Sequence, residues 1–139
     1  QRLLPKTCPE CALQRSPRSN VTGRFGFIFA DEDGAIRYRN PEGCKSCNST
    51  GITGRAIVAE AVELLPSTLK VVQRVLKEND TRSYQIYAKH KGIINTHQHA
   101  RQRILAGEVD PSIAENILGK FDQDSLLWEF PGNEGAFDA

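Results

Sequence analysis

The placement of four cysteines constrains this chain more than any other feature: Cys8-Pro9-Glu10-Cys11 and Cys44-Lys45-Ser46-Cys47. A C-x-x-C turn presents two thiolates on one side of an ion, and two such turns complete the tetrahedron that Zn²⁺ prefers. A shell of four sulfurs leaves no open position for a substrate, so such a site is structural. The same pairs could serve as redox dithiols or close two disulfides. Two pairs in a cytosolic-looking chain favour the metal, with Cys8, Cys11, Cys44 and Cys47 as ligands.

The pairs are separated by 32 residues, more than the roughly 15–20 of common zinc ribbons. Within that interval Arg24-Phe25-Gly26-Phe27-Ile28-Phe29 and Ala35-Ile36-Arg37-Tyr38-Arg39 are β-prone runs on either side of Asp31-Glu32-Asp33-Gly34, a strong turn signal. They predict a hairpin that accounts for the excess. The run from Arg55 to Glu63, β-branched at its centre, predicts a further, partly buried strand.

From residue 65 the period changes. Pro66 and Ser67 open a helix in which Leu69, Val72, Val75 and Leu76 recur at helical spacing as far as Asn79-Asp80. A second helix is predicted over Thr81–Lys91, ending at Gly92, and a third from about Asn95 to Ala106, ending at Gly107. Asp110 as N-cap and Pro111 at the first helical position begin a fourth, with Ile113, Ile117 and Leu118 on one side. The fold class expected is therefore α+β: a tetracysteine zinc-binding β region over 1–64, a bundle of about four helices over 65–121, and a tail over 122–139.

The net charge of +1 hides an asymmetry. The tail carries Asp122, Asp124, Glu129, Glu134 and Asp138 and no Lys or Arg, leaving 18 basic residues against 12 acidic in the remainder. Its Leu126-Leu127-Trp128-Glu129-Phe130 segment is either a packed terminal element, folded back on the basic helices, or a docking peptide. No apolar run approaches the roughly 20 residues needed to cross a bilayer, and the first residues lack the order of a signal peptide. A soluble, cytosolic chain is expected; the absence of Met suggests a piece of something longer.

Past the second cysteine pair the chain reads Gly43-Cys44-Lys45-Ser46-Cys47-Asn48-Ser49-Thr50-Gly51-Ile52-Thr53-Gly54-Arg55, and then Glu60. This resembles the C-terminal region of the type II secretion and type IV pilus assembly ATPases, where G-C-x-x-C-x-x-T/K-G-aromatic-x-G-R leads into a strand closing with Glu. Gln1-Arg2-Leu3 entering Cys8, and Leu105-Ala106-Gly107-Glu108-Val109-Asp110 followed by Ile113, Glu115 and Ile117, extend the likeness over about residues 1–120. Ile52 stands where an aromatic is usual and Ile57 where a Gly is usual, and the tail has no counterpart.

The resemblance implies part of a hexameric bacterial motor, peripheral on the cytoplasmic face of the inner membrane. Such a motor hydrolyses ATP and drives pilin or pseudopilin assembly through inner-membrane platform proteins. This stretch contains no G-x-x-x-x-G-K-[ST] loop, so ATP and Mg²⁺ are expected to belong to a motor domain outside it, and no catalytic residue is assigned. Neighbouring subunits and the rest of the motor chain are the expected partners.

Other residues invite competing readings. His97 and His99, two apart on a helix, point to different faces and do not converge on one ion; they and His90 are expected on the surface or in helix packing. Arg82, Lys89, Lys91, Arg101 and Arg103 form a basic stretch without an acid from Thr81 to Gly107. Beside a zinc ribbon, that is the composition of a nucleic-acid-binding module, the alternative function. Arg55 is expected to support the second cysteine turn or a neighbouring subunit.

Overall fold

The computed structural model describes residues 1–17, 19–31 and 33–121, and the backbone alone over 19–22. Among these, two strands form an antiparallel sheet, β1 (Arg2–Thr7) with β2 (Ile52–Val58), and five α-helices complete an α+β fold. The helices are α1 (Ser19–Phe29), α2 (Pro66–Glu78), α3 (Thr81–His90), α4 (Thr96–Leu105) and α5 (Pro111–Leu118).

Register decides which sheet face is buried. Leu4 lies opposite Ala56 and both are buried, whereas their neighbours Leu3 and Ile57, also opposite one another, face outward. Pro5 is tolerated because a two-stranded sheet has only edge strands. Thr7 pairs with Ile52 after Pro5 has paired with Arg55, so β2 carries one residue more than β1, a bulge just before the cysteine turns.

The predicted hairpin is not formed: Arg24–Phe29 is the last half of α1. Alternation would have put Phe25, Phe27 and Phe29 on one face. In the structure Phe25 and Phe29 are buried, with ring centroids 5.8 Å apart, while Phe27 is 86% exposed. Burial at i and i+4 with exposure at i+2 is the helical period, and these aromatics obtain more apolar contact across α1 than along a strand. A turn at Asp33 follows a helix rather than a strand, and Asp31 Oδ1 accepts from Ala35 N at 2.7 Å. The run after it forms no strand either; a single bridge joins Tyr38 to Leu13 and closes the neck of the long interval.

The core crosses from the cysteine half into the helices. Leu4, Ala56 and Val58 from the sheet meet Phe25 and Phe29 of α1, Ile36 and Tyr38, Ala100 and Ile104 of α4, Ala114 of α5, and Val109 and Phe121. Phe29 meets Phe121 edge-on at 5.3 Å.

α2 opens on Pro66 with no side-chain cap at Leu65, whereas α3, α4 and α5 begin where capping chemistry places them. Asp80, Asn95 and Asp110 each accept backbone N–H groups of the first turn, and Pro111 occupies the position whose N–H would be orphaned. Gly92 and Gly107 follow the last residues of α3 and α4 as predicted. α2 and α3 pack on each other, burying Thr68, Val75, Tyr87 and Ala88. The Leu126–Phe130 segment lies outside the described residues.

Candidate metal centre

β1 runs directly into Cys8, and β2 starts soon after Cys47, so one end of the sheet carries both cysteine turns. A bond from Cys8 N to Gly51 O, 2.9 Å, continues the ladder past the strands and locks the turns side by side. The first turn closes through Ala12 N donating to Cys8 O at 3.0 Å. The second is a short 3₁₀ turn, Lys45–Cys47, after which Asn48 and Ser49 adopt left-handed backbone with φ of 52° and 62°. Ser49 N donates to Cys44 O at 2.8 Å and the Thr50 hydroxyl to Cys47 O at 2.6 Å.

These turns bring all four predicted ligands together, their sulfurs lying within 4.8 Å of one another. The Cys8–Cys44, Cys44–Cys47 and Cys11–Cys47 separations are 3.8, 3.8 and 3.9 Å. A tetrahedron with metal–sulfur bonds of about 2.3 Å has edges of about 3.8 Å. A disulfide would require sulfurs about 2.05 Å apart, and none of the four is so bonded. The donor set therefore fits one tetrahedral soft or borderline-soft ion, with one thiolate from each cysteine.

Backbone N–H groups already face the sulfurs. Cys44 N and Gly51 N both donate to Cys47 Sγ at 3.1 Å. Burial, the largest single influence on Cys47, opposes ionisation, but these two donors together with the Cys44 and Cys11 thiols outweigh it and bring its pKa down to about 6. Cys11 lacks such donors: burial, and then the Cys44, Cys8 and Cys47 sulfurs, push it up to about 12. The backbone donors thus favour the thiolate at Cys47, and a bound cation would favour it at all four sulfurs. Bound there, a metal would contribute cross-linking by coordination and no reaction.

Two supports of the cluster lie outside the cysteine spacing itself. At Gly51 φ is +72°, and a Cβ would stand 2.2 Å from Asn40 O and 2.9 Å from Arg39 Cγ; only glycine lets the strand entrance approach that backbone while its N–H reaches Cys47. Arg39 is the second. Its Nε donates to Thr50 O at 2.7 Å, and its own N–H donates at 2.7 Å to Asp110 Oδ2, the N-cap of α5. Asp110 is buried and also accepts from Ser112 N and Ile113 N, so one carboxylate joins the helical half to the second cysteine turn. The C-terminal half enters the first turn as well, Glu108 O accepting from Thr7 N at 2.9 Å.

The other singled-out residues lie elsewhere. His99 Nδ1 accepts from Ala59 N at 3.0 Å, while His97 lies 3.3 Å from Gly119 O and meets Phe121 edge-on. The two rings hold different parts of the fold. Arg55 is exposed on β2 opposite Pro5. Glu60 accepts from Tyr84, whose hydroxyl pKa is raised by burial first and then by this carboxylate.

No described helix is long and apolar enough to cross a membrane. A comparison with curated proteins returned no match. A family model described as type II/IV secretion system protein matches residues 1–118, a span that contains the sheet, both cysteine turns and every described helix, and on this ground the chain belongs to the type II/IV secretion system protein family.

Proposed function

We propose that this chain is the zinc-stabilised C-terminal domain of a hexameric secretion or pilus-assembly ATPase, a motor that powers pilin or pseudopilin assembly and protein transport across the bacterial envelope. The observation that carries the reading is a secretion-family match spanning a cluster of four sulfurs at tetrahedral spacing. In this reading the ion is Zn²⁺, and it gives a two-stranded sheet the stability that so small a sheet lacks. ATP and Mg²⁺ act in a motor domain beyond this sequence, and the domain's own work is to brace its subunit and to contact neighbouring subunits or the inner-membrane platform. The assembly sits on the cytoplasmic face of the inner membrane.

The alternative, a free-standing nucleic-acid-binding module, would draw on Arg101 and Arg103. Both are half-buried and engaged within the fold: Arg101 donates to Phe29 O at 3.4 Å, and Arg103 pairs with Glu108 at 2.9 Å. That occupancy supports the motor reading.

The test is the mass of the purified chain under native and denaturing conditions, for the wild type and Cys44→Ser. One zinc per chain, lost on denaturation and absent from the variant, is expected, with a lowered melting temperature for the variant. A wild-type chain free of metal, or a variant with an unchanged melting temperature, refutes the structural-zinc reading. Salt-sensitive DNA or RNA binding abolished by neutralising Arg101 and Arg103 would install the alternative.

A further inference from the structure

α2 carries more apolar surface than α3 covers. Thr68 and Val75 face inward, but Leu65, Leu69 and Leu76, at positions i, i+4 and i+11, share a second face and are 48%, 38% and 76% exposed. One flank of that face is basic: Lys70 and Lys77 lie to one side of it and are exposed, with Arg74 further round the helix. The described fold thus presents a leucine stripe with a cationic border.

An apolar stripe bordered by cations is suited to an acidic segment with large apolar side chains. The chain contains one. Residues 122–139 carry five acids, no Lys or Arg, and the Leu126-Leu127-Trp128-Glu129-Phe130 cluster. The described fold ends at Phe121, which is buried and fixed against Phe29 and His97. From there to Trp128 is seven residues, a reach of about 24 Å when extended. That exceeds the radius, though not the diameter, of a compact domain of this size. We propose that the outer face of α2 is the docking site of the chain's own acidic Leu126–Phe130 segment, the aromatics covering the leucine stripe and the carboxylates facing the basic row.

Tethering strengthens this. A short flexible connection supplies an effective concentration on the order of 1 mM, so even an intrinsic Kd of about 0.1 mM leaves the segment docked in about nine-tenths of molecules. A basic amphipathic helix is also the pattern of a membrane-surface element. The adjoining tail, five acids in 18 residues, would carry its negative charge toward an anionic leaflet, which favours the tail over lipid as the occupant.

Trp128 is the only tryptophan, so its fluorescence reports the segment directly in the full chain. Expected are blue-shifted emission and protection from acrylamide, both independent of protein concentration. Either Leu69→Asp with Leu76→Asp, or Lys70→Glu with Lys77→Glu, should raise acrylamide accessibility about tenfold, from one molecule in ten open to all. These side chains are exposed, so circular dichroism should not change. Full accessibility of Trp128 in the wild type overturns the proposal. So does protection indifferent to both double variants, and so does protection that grows with concentration alongside a doubled mass, which would assign the face to a second copy. Capture of wild type and Trp128→Ala on phosphatidylglycerol vesicles, lost in Leu69→Asp with Leu76→Asp, would assign it to lipid and overturn the proposal too.

Discussion

Replacing Gly51 by alanine tests whether the metal site is built by the backbone as much as by its ligands. The new Cβ would meet Asn40 O at 2.2 Å and Arg39 Cγ at 2.9 Å, and the residue would be held at φ +72°. Left-handed backbone costs a side-chain-bearing residue about 1 kcal/mol, and forcing atoms into filled space adds about 1–3 kcal/mol. The total is about 3 kcal/mol, which at about 3 °C per kcal/mol lowers Tm by about 10 °C for a chain of this length. Gly92 is the control: it has φ +69° with nothing within 4 Å of a Cβ, so Gly92→Ala carries the conformational term alone and should lose only about 3 °C. The relief at Gly51 must also move the N–H that donates to Cys47 Sγ at 3.1 Å. A hydrogen bond to a charged group is worth about 1.5–3 kcal/mol, so zinc affinity, read by competition with a chromophoric chelator, should fall roughly ten- to a hundredfold in Gly51→Ala and not at all in Gly92→Ala. Equal melting temperatures for the two variants, or wild-type zinc affinity in Gly51→Ala, would refute the reasoning.

Two further outcomes follow from the helices. Phe29→Ala should destabilise by about 3–5 kcal/mol while Phe27→Ala stays within about 0.5 kcal/mol, since Phe29 is buried and Phe27 is 86% exposed; comparable losses in chemical denaturation would restore the hairpin. Glu115 receives both guanidinium nitrogens of Arg24, one at 2.9 Å, and this bond, against some opposition from burial, holds its carboxyl below the ordinary 4.5. A depressed carboxyl contributes stability that is fully present above its unfolded value and lost as pH falls through the folded one. The wild type's advantage over Glu115→Gln should therefore be constant from about pH 6 upward and shrink below about pH 4.5; an advantage that persists undiminished at pH 3 would exclude the link.

What the sequence made legible was local. The cysteine cluster was readable because C-x-x-C is a short spacing tied to one chemistry, and α2 to α5 were readable because Pro66 suits a first helical position and Asp80, Asn95 and Asp110 cap their helices through bonds within a few residues. The run Phe25-Gly26-Phe27-Ile28-Phe29 satisfied a period of two, and only the distant Phe121 and the sheet interior decided which rings would be buried. β1 was not anticipated for a related reason: its sole partner lies some 50 residues away, and Pro5 argues against a strand in isolation. The link between Arg39 and Asp110 was hidden in the same way: Asp110 was readable as a helix cap, but its second partner lies 71 positions away.

The register of the sheet also sets how this domain bears tension. Arg2 and Val58 face each other at one end of the ladder, and the cysteine turns close the other. A pull that separates the chain before β1 from the chain after β2 loads the strands in peeling geometry, where hydrogen bonds give way one after another at low force. Peeling can advance only as far as Cys8 and Gly51. There it meets four sulfurs, which a bound ion would make the stop of a zipper: compliant for the first few residues of extension, then stiff.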